Sequence, residues 1–213
     1  FVGSMVPPLV FGVAFGNLLQ GVPFSFDSLM RVTYTGSFFA LFTPFTLLTG
    51  VVSVAMVLMH GSTWLVMRTD SNVAQRSANI GRVVSIVLSL CFALAGVMVW
   101  QSVDGYLVLS AIDTMGQAQP TIKEVTTGSG AWLHNYIESP VLWLVPAVGI
   151  VMPMLVSLLL GLKGKSMSVK VFSFIASSLS IVSIILTAGI AMFPFVMPSS
   201  SQPNHSLLMW DAV

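Results

Sequence analysis

The run IGRVVSIVLSLCFALAGVMVWQSV, residues 80–103, carries one formal charge, Arg82, placed two residues from its start. An unpaired charge at the centre of a bilayer costs about 2.5–3.5 kcal/mol on insertion scales, so a spanning segment has to exclude Asp, Glu, Lys and Arg. At a rise of about 1.5 Å per residue, a helix of this length crosses the ~30 Å hydrocarbon layer. Four further runs read the same way: residues 1–20, 36–67, 140–162 and 169–197, with Lys170 at the edge of the last. The reading predicts an all-α polytopic membrane bundle of five transmembrane helices, with residues 1–213 forming a single transmembrane domain.

Composition points to the same class. The chain is 55% hydrophobic and 7% charged, with a mean hydropathy of +0.94, whereas soluble domains use about 25% charged residues. A soluble helical core would need a polar face on every helix, and these segments offer only narrow Ser/Thr stripes. The net charge of +1 supplies no basic surface for nucleic acid. Cys91 is the sole cysteine, so the sequence holds neither a disulfide nor a multi-cysteine metal site. The chain opens at Phe1 inside an apolar run and closes on Met209–Val213 with no basic tail, and the expectation is a piece of a longer subunit.

Basic residues in short loops set orientation. Arg68, Arg76 and Arg82 flank the second connection, residues 68–79. Lys163, Lys165 and Lys170 flank the fourth, residues 163–168. These two connections are expected to be cytoplasmic. Loops 21–35 and 104–139 and the tail 198–213 are expected on the opposite, periplasmic side. They carry Arg31 and Lys123 among Asp27, Asp104, Asp113, Glu124, Glu138 and Asp211. The outer loop 104–139, with Gly105, Gly116, Gly128 and Gly130, is expected to form short surface helices and turns.

Polar groups inside the runs form faces. Thr43, Thr46, Thr49, Ser53 and His60 share one side of the second run, Ser173, Ser177, Ser180 and Thr187 one side of the fifth, and Gly12 and Gly16 make a small-xxx-small pair. Small residues and hydroxyls at such spacing serve helix packing, with interhelical bonds averaging about 0.6 kcal/mol; lining a water or proton path is the competing reading. His60 is the one histidine inside a run. A bis-histidine haem site would need a second at the same depth, and His134 and His205 lie in outer polar segments. Pro7, Pro8, Pro44, Pro146, Pro153, Pro194 and Pro198 are expected to interrupt helices, as in transporters with broken helices, although no intramembrane acid accompanies them. The sequence contains no GxSxG, P-loop, HExxH or GxGxxG motif.

Several blocks carry a resemblance. Gly16-Asn17-Leu18-Leu19-Gln20-Gly21-Val22-Pro23-Phe24, then Tyr34-Thr35-Gly36-Ser37-Phe38-Phe39, CFALAGV at 91–97, GAWL at 130–133, ILTAGIAMFPFVMPSS at 185–200 and SLLMWDA at 206–212 together resemble subunit II of the cytochrome bd-type quinol oxidases of bacterial inner membranes. The resemblance implies a heterodimeric oxidase in which quinol is oxidised on the outer side and dioxygen is reduced to water with cytoplasmic protons. It further implies that haems b and d sit in the partner, subunit I, while this chain is a haem-free subunit that supports assembly and can hold a structural quinone or lipid. The acidic residues that the family uses near its N-terminus have no matching positions here, so no catalytic or metal-binding residue is carried over. The polar residues singled out for structural quinone or headgroup contact are Asn17 and Gln20 at the outer end of the first run, and Trp210 and Asp211 in the tail. A secondary transporter with proline-broken helices, and a scaffold without a redox partner, are the alternative functions.

Overall fold

The computed structural model describes residues 2–110, 121–162, 164 and 166–212. The expectations placed on Lys163, Lys165, Asp113 and Gly116 lie outside the described residues, as do the two terminal residues. Among the described residues five helices are long and apolar enough to cross a membrane: α1 (Val2–Gln20), α2 (Pro44–Arg68), α3 (Ser71–Gln101), α5 (Leu144–Gly161, entered through a 3-10 turn at Pro140–Trp143) and α6 (Met167–Met192). A short α4 (His134–Glu138) precedes α5. Helices α2, α3, α5 and α6 pack in a ring, each against the next, and α1 lies against the outer side of α2. Only 22–39% of each spanning window is buried. The outward positions are apolar, with Leu90, Leu94, Leu158 and Ile175 all exposed, and such a surface suits lipid or an apolar partner rather than water.

Three antiparallel hairpins close one end of the bundle. They pair β1 (Phe24–Phe26) with β2 (Val32–Tyr34), β3 (Asp104–Val108) with β4 (Val125–Ser129), and β5 (Phe195–Met197) with β6 (Leu207–Leu208). The opposite end gathers Arg68, Arg76, Arg82 and Lys170, where α2 ends, α3 begins and α6 begins.

Several boundaries differ from the sequence-based expectation, each for a local reason. The second helix starts at Pro44 rather than residue 36. Thr43 is extended and its side chain accepts from the Thr46 N–H, so Pro44 occupies the first helical position, where its missing N–H costs nothing. The third helix starts at Ser71 rather than 80, because residues 71–79 contain no Gly or Pro and continue the helix past the apolar run. The connection expected over 68–79 shrinks to Thr69 and Asp70. The fifth stops at Met192 rather than 197, since Pro194 cannot continue it, and the following Phe195–Met197 becomes β5. The outer loop 104–139 is not merely short helices and turns, for its described part contains the β3–β4 hairpin.

The prolines follow the same logic. Pro44 opens α2, Pro146 sits in the first turn of α5, and Pro194 and Pro198 lie beyond α6. Pro7, Pro8 and Pro153 are internal to helices. The predicted series of broken helices is therefore mostly a series of helix ends.

Close helix approach is visible where the two small residues were singled out. A Cβ on Gly12 would lie 2.6 Å from the Gly50 Cα and 2.7 Å from the Ser53 Cβ, and one on Gly16 would lie 2.9 Å from the Thr46 Cα. Only glycine lets α1 and α2 meet at that separation. The hydroxyl stripes mostly bond to their own helix. Thr49 donates to Thr46 O, Ser62 to Leu58 O, Ser173 to Val169 O and Thr187 to Ser183 O.

Candidate functional site

The four singled-out residues all fall at the hairpin end, in two separate junctions. Asn17 and Gln20 occupy the last turn of α1. The Asn17 Nδ2 donates to Val13 O at 2.8 Å and to Leu41 O at 3.0 Å, and Gln20 Oε1 accepts from the Thr43 hydroxyl at 2.8 Å. Thr43 thus caps α2 while holding α1, and the two amides lock the end of α1 to the chain entering α2. Gly21 follows with φ +82, a left-handed turn in which a side chain would also run into the Tyr106 ring.

Trp210 and Asp211 belong to the tail. Asp211 forms an ion pair with Lys123 at 2.5 Å, with both side chains under a tenth exposed, and also accepts the Leu208 N–H at 2.9 Å. It clamps the tail onto the strand-forming part of the outer loop. The Trp210 ring meets Phe193 edge-on, with centroids 6.2 Å apart. No hydrogen bond joins Asn17 or Gln20 to Trp210 or Asp211 among the described residues. The junctions communicate through the apolar core between them, built on Leu19, Tyr106, Trp132, Tyr136, Phe195 and Leu208.

That core contains residues the sequence reading passed over. The Trp132 indole donates to Leu19 O at 2.9 Å and the Tyr136 hydroxyl to Thr187 O at 2.8 Å, so the outer loop ties down the ends of α1 and α6. Asn135 Nδ2 donates to Ile190 O at 2.7 Å and Phe193 O at 2.8 Å, collecting carbonyls that helix termination leaves free. Burial pushes the Tyr106 phenol up to about 12, helped by the nearby Asp104 carboxylate. It pushes Tyr136 to about 12 as well, with its bond to Thr187 pulling the other way. Neither phenol has a base within the bonds described, so both act as anchors. Lys123, the one Lys or Arg of the 104–139 loop, was the readable clue to the buried pair, and nothing in the sequence marked Asp211 as its partner.

Inside the bundle, His60 Nδ1 bonds the Ser177 hydroxyl at 2.9 Å and its ring stacks on Phe174 at 4.7 Å. Ser177 in turn bonds Thr63 at 3.0 Å. His60 stands about 24 Å along α2 from its hairpin end, sixteen residues on from Pro44. His134 and His205 sit within the hairpin end itself, His134 against Glu138 at 3.1 Å and His205 Nδ1 accepting from Phe26 N at 2.9 Å. The three imidazoles are therefore engaged at two different depths. No cluster of three or more His, Cys, Asp or Glu able to hold a metal occurs among the described residues.

Comparison with known proteins gives one consistent answer. Residues 1–213 match the family described as Cytochrome bd terminal oxidase subunit II. The chain is similar to "Cytochrome bd-I ubiquinol oxidase subunit 2" of Escherichia coli, 52% identical over 212 residues that cover 100% of this chain and 55% of that protein. It is also similar to "Probable cytochrome oxidase subunit 2" of Haemophilus influenzae, 49% identical over 212 residues that cover 100% of this chain and 54% of that protein. The chain thus spans about half the length of the curated relatives it matches.

Proposed function

The chain belongs to the cytochrome bd terminal oxidase subunit II family, and from that premise we propose that it serves as the haem-free membrane subunit of a quinol:dioxygen oxidoreductase in the bacterial inner membrane. The whole-chain family match carries the reading. In it, haems b and d belong to a partner subunit I, quinol is the electron donor and dioxygen the acceptor. The depth of His60, far from His134 and His205, and the bonds that engage all three support leaving the haems to the partner.

This chain's own contribution is structural. Its five spanning helices offer a largely apolar exterior on which a haem-bearing partner can dock. In lipid, such docking rests on packing and interhelical hydrogen bonds, because lipid tails are as apolar as leucine. At the hairpin end, Asn17, Gln20, Trp132 and Tyr136 fix helix termini, and the Lys123–Asp211 pair closes the tail over the outer loop. The same residues hold a firm edge at which a quinone or a lipid headgroup could be supported by Asn17, Gln20 and Trp210. The basic end faces the cytoplasm on this reading, and the hairpin end faces the periplasm.

Co-purification tests the proposal. Full-length subunit taken from membranes in mild detergent is expected to bring a haem-bearing polypeptide with reduced-minus-oxidised absorption bands and quinol-dependent oxygen uptake. Recovery without any haem protein, together with substrate-driven uptake into vesicles, would replace the oxidase reading with a transporter.

A further inference from the structure

At the basic end a cavity of about 560 Å³ opens between the first turns of α3, the last turn of α5 and the start of α6. Gln75, Asn79 and Arg82 reach it from α3, at spacings of four and three that place them on one helical face. Lys170 reaches it from α6, and Val66 and Leu160 close its apolar side. Among the described residues no acidic side chain lines it. The acid nearest to its lysine is Asp70, 3.8 Å from the Lys170 Nζ but 95% exposed in its side chain, and water screens such a contact heavily.

Arg82 is an exposed side chain that lines the recess. Among the described residues no carboxylate pairs with it. Its guanidinium lies along Gly161, where an added Cβ would be 3.1 Å from Nε and 3.2 Å from Cζ. The C-terminal end of α5 offers about half a counter-charge there, which leaves a recess holding Arg82 and Lys170 net positive.

The size and walls select the ligand class. A volume of about 560 Å³ far exceeds the ~30 Å³ share of a water molecule and falls in the range of small-molecule sites. The apolar wall is built from residues of the spanning segments of α2 and α5, while Gln75 lies in the part of α3 that precedes its apolar run. The cavity therefore straddles the boundary at which a phospholipid changes from acyl chain to phosphate. Basic recesses between helices at this depth are suited to acidic headgroups.

We propose that this cavity binds the phosphodiester headgroup of an acidic membrane phospholipid. Arg82 and Lys170 contact the anion, Gln75 and Asn79 donate to headgroup oxygens, and the glycerol and first methylenes lie against Val66 and Leu160. The proposal concerns the membrane bundle alone and does not depend on the oxidase reading.

The test uses the full-length subunit in the complex with which it purifies, delipidated in detergent and titrated with phosphatidylglycerol, with bound lipid counted by native mass spectrometry. The R82Q/K170Q variant should weaken binding roughly thirtyfold, the combined worth of two basic contacts. R76Q, which alters an exposed arginine of the same helix outside the cavity, should leave it unchanged. Unaltered binding in R82Q/K170Q overturns the proposal, as does phosphatidylcholine binding as tightly as phosphatidylglycerol. Displacement of the lipid by inorganic phosphate at equal concentration reassigns the site to a free anion and overturns it too. Should the double variant fail to assemble, the unmodified complex still decides: binding must fall as salt rises, and salt-independent binding refutes the assignment.

Discussion

Replacing Asp211 by Ala removes the carboxylate that pairs with Lys123 and accepts the Leu208 N–H. Both charged side chains are under a tenth exposed, so the lysine left behind cannot regain its hydration without opening the hairpin end. Breaking a buried pair by deleting one partner costs about 3–5 kcal/mol. Orphaning the Leu208 N–H overlaps with that loss rather than adding to it. At about 3 kcal/mol the closed arrangement loses roughly a hundredfold in population relative to open ones. The spanning helices do not depend on this contact, so the effect should appear as poor assembly. Full-length D211A subunit co-expressed with its partner should yield much less intact complex by size-exclusion chromatography, while turnover per haem in the recovered fraction changes little. The pair replacement K123M/D211A, which exchanges two buried charges for apolar volume, should regain most of the lost yield. Equal haem content with lost quinol oxidation in D211A would show that Asp211 acts in chemistry. A double variant as poor as D211A would refute the argument from an orphaned charge.

Other perturbations follow from the same geometry. G12L drives a large side chain into Gly50 and Ser53 of α2, and overpacking of about 1–3 kcal/mol or more should lower the thermal unfolding midpoint of the complex in detergent; an unchanged midpoint would show that α1 does not seat there. H60L leaves Ser177 bonded to Thr63 and to Phe174 O, so haem content per complex should match the parent, and loss of a haem band would overturn the structural assignment of His60. Tyr106 and Tyr136 titrate near 12 in the folded chain against about 10 when unfolded. A raised folded value means that the unfolded state releases these protons first, so stability is full below about pH 10 and is lost as pH rises toward 12. Phenolate absorbance of these residues should rise only with that loss, and Y136F should reduce the alkaline sensitivity.

Much of the membrane-spanning structure was legible because lipid imposes a rule that acts on each segment separately. Val83 to Trp100 excludes charge, and Gly12 with Gly16 announces a closely packed helix face, whatever the rest of the chain does, although only the structure names α2 as the partner. The helix ends were harder. Pro44 reads equally as a break or as a first-turn residue until Thr43 is seen to cap α2, and residues 71–79 read as loop because polarity was mistaken for irregularity. The hairpin end was the least legible part. Asn17, Gln20, Trp210 and Asp211 were chosen for their position at a boundary, yet their partners are Leu41, Thr43, Phe193 and Lys123. The last three pairs are separated by 17 to 88 residues in sequence, and no local pattern encodes them.

The sequence by itself determined that this chain lives in lipid, how many times it crosses, and which end is basic. Those properties follow from the free energy of transferring each residue into hydrocarbon, a sum taken along the chain. Only the tertiary structure decided that the polar residues at the hairpin end anchor helix termini, that Lys123 and Asp211 meet in a buried pair, and that Arg82 and Lys170 face one cavity. Such facts depend on which distant groups come to share a low-dielectric space, where an ion pair or an unpaired charge counts for far more than it does in water.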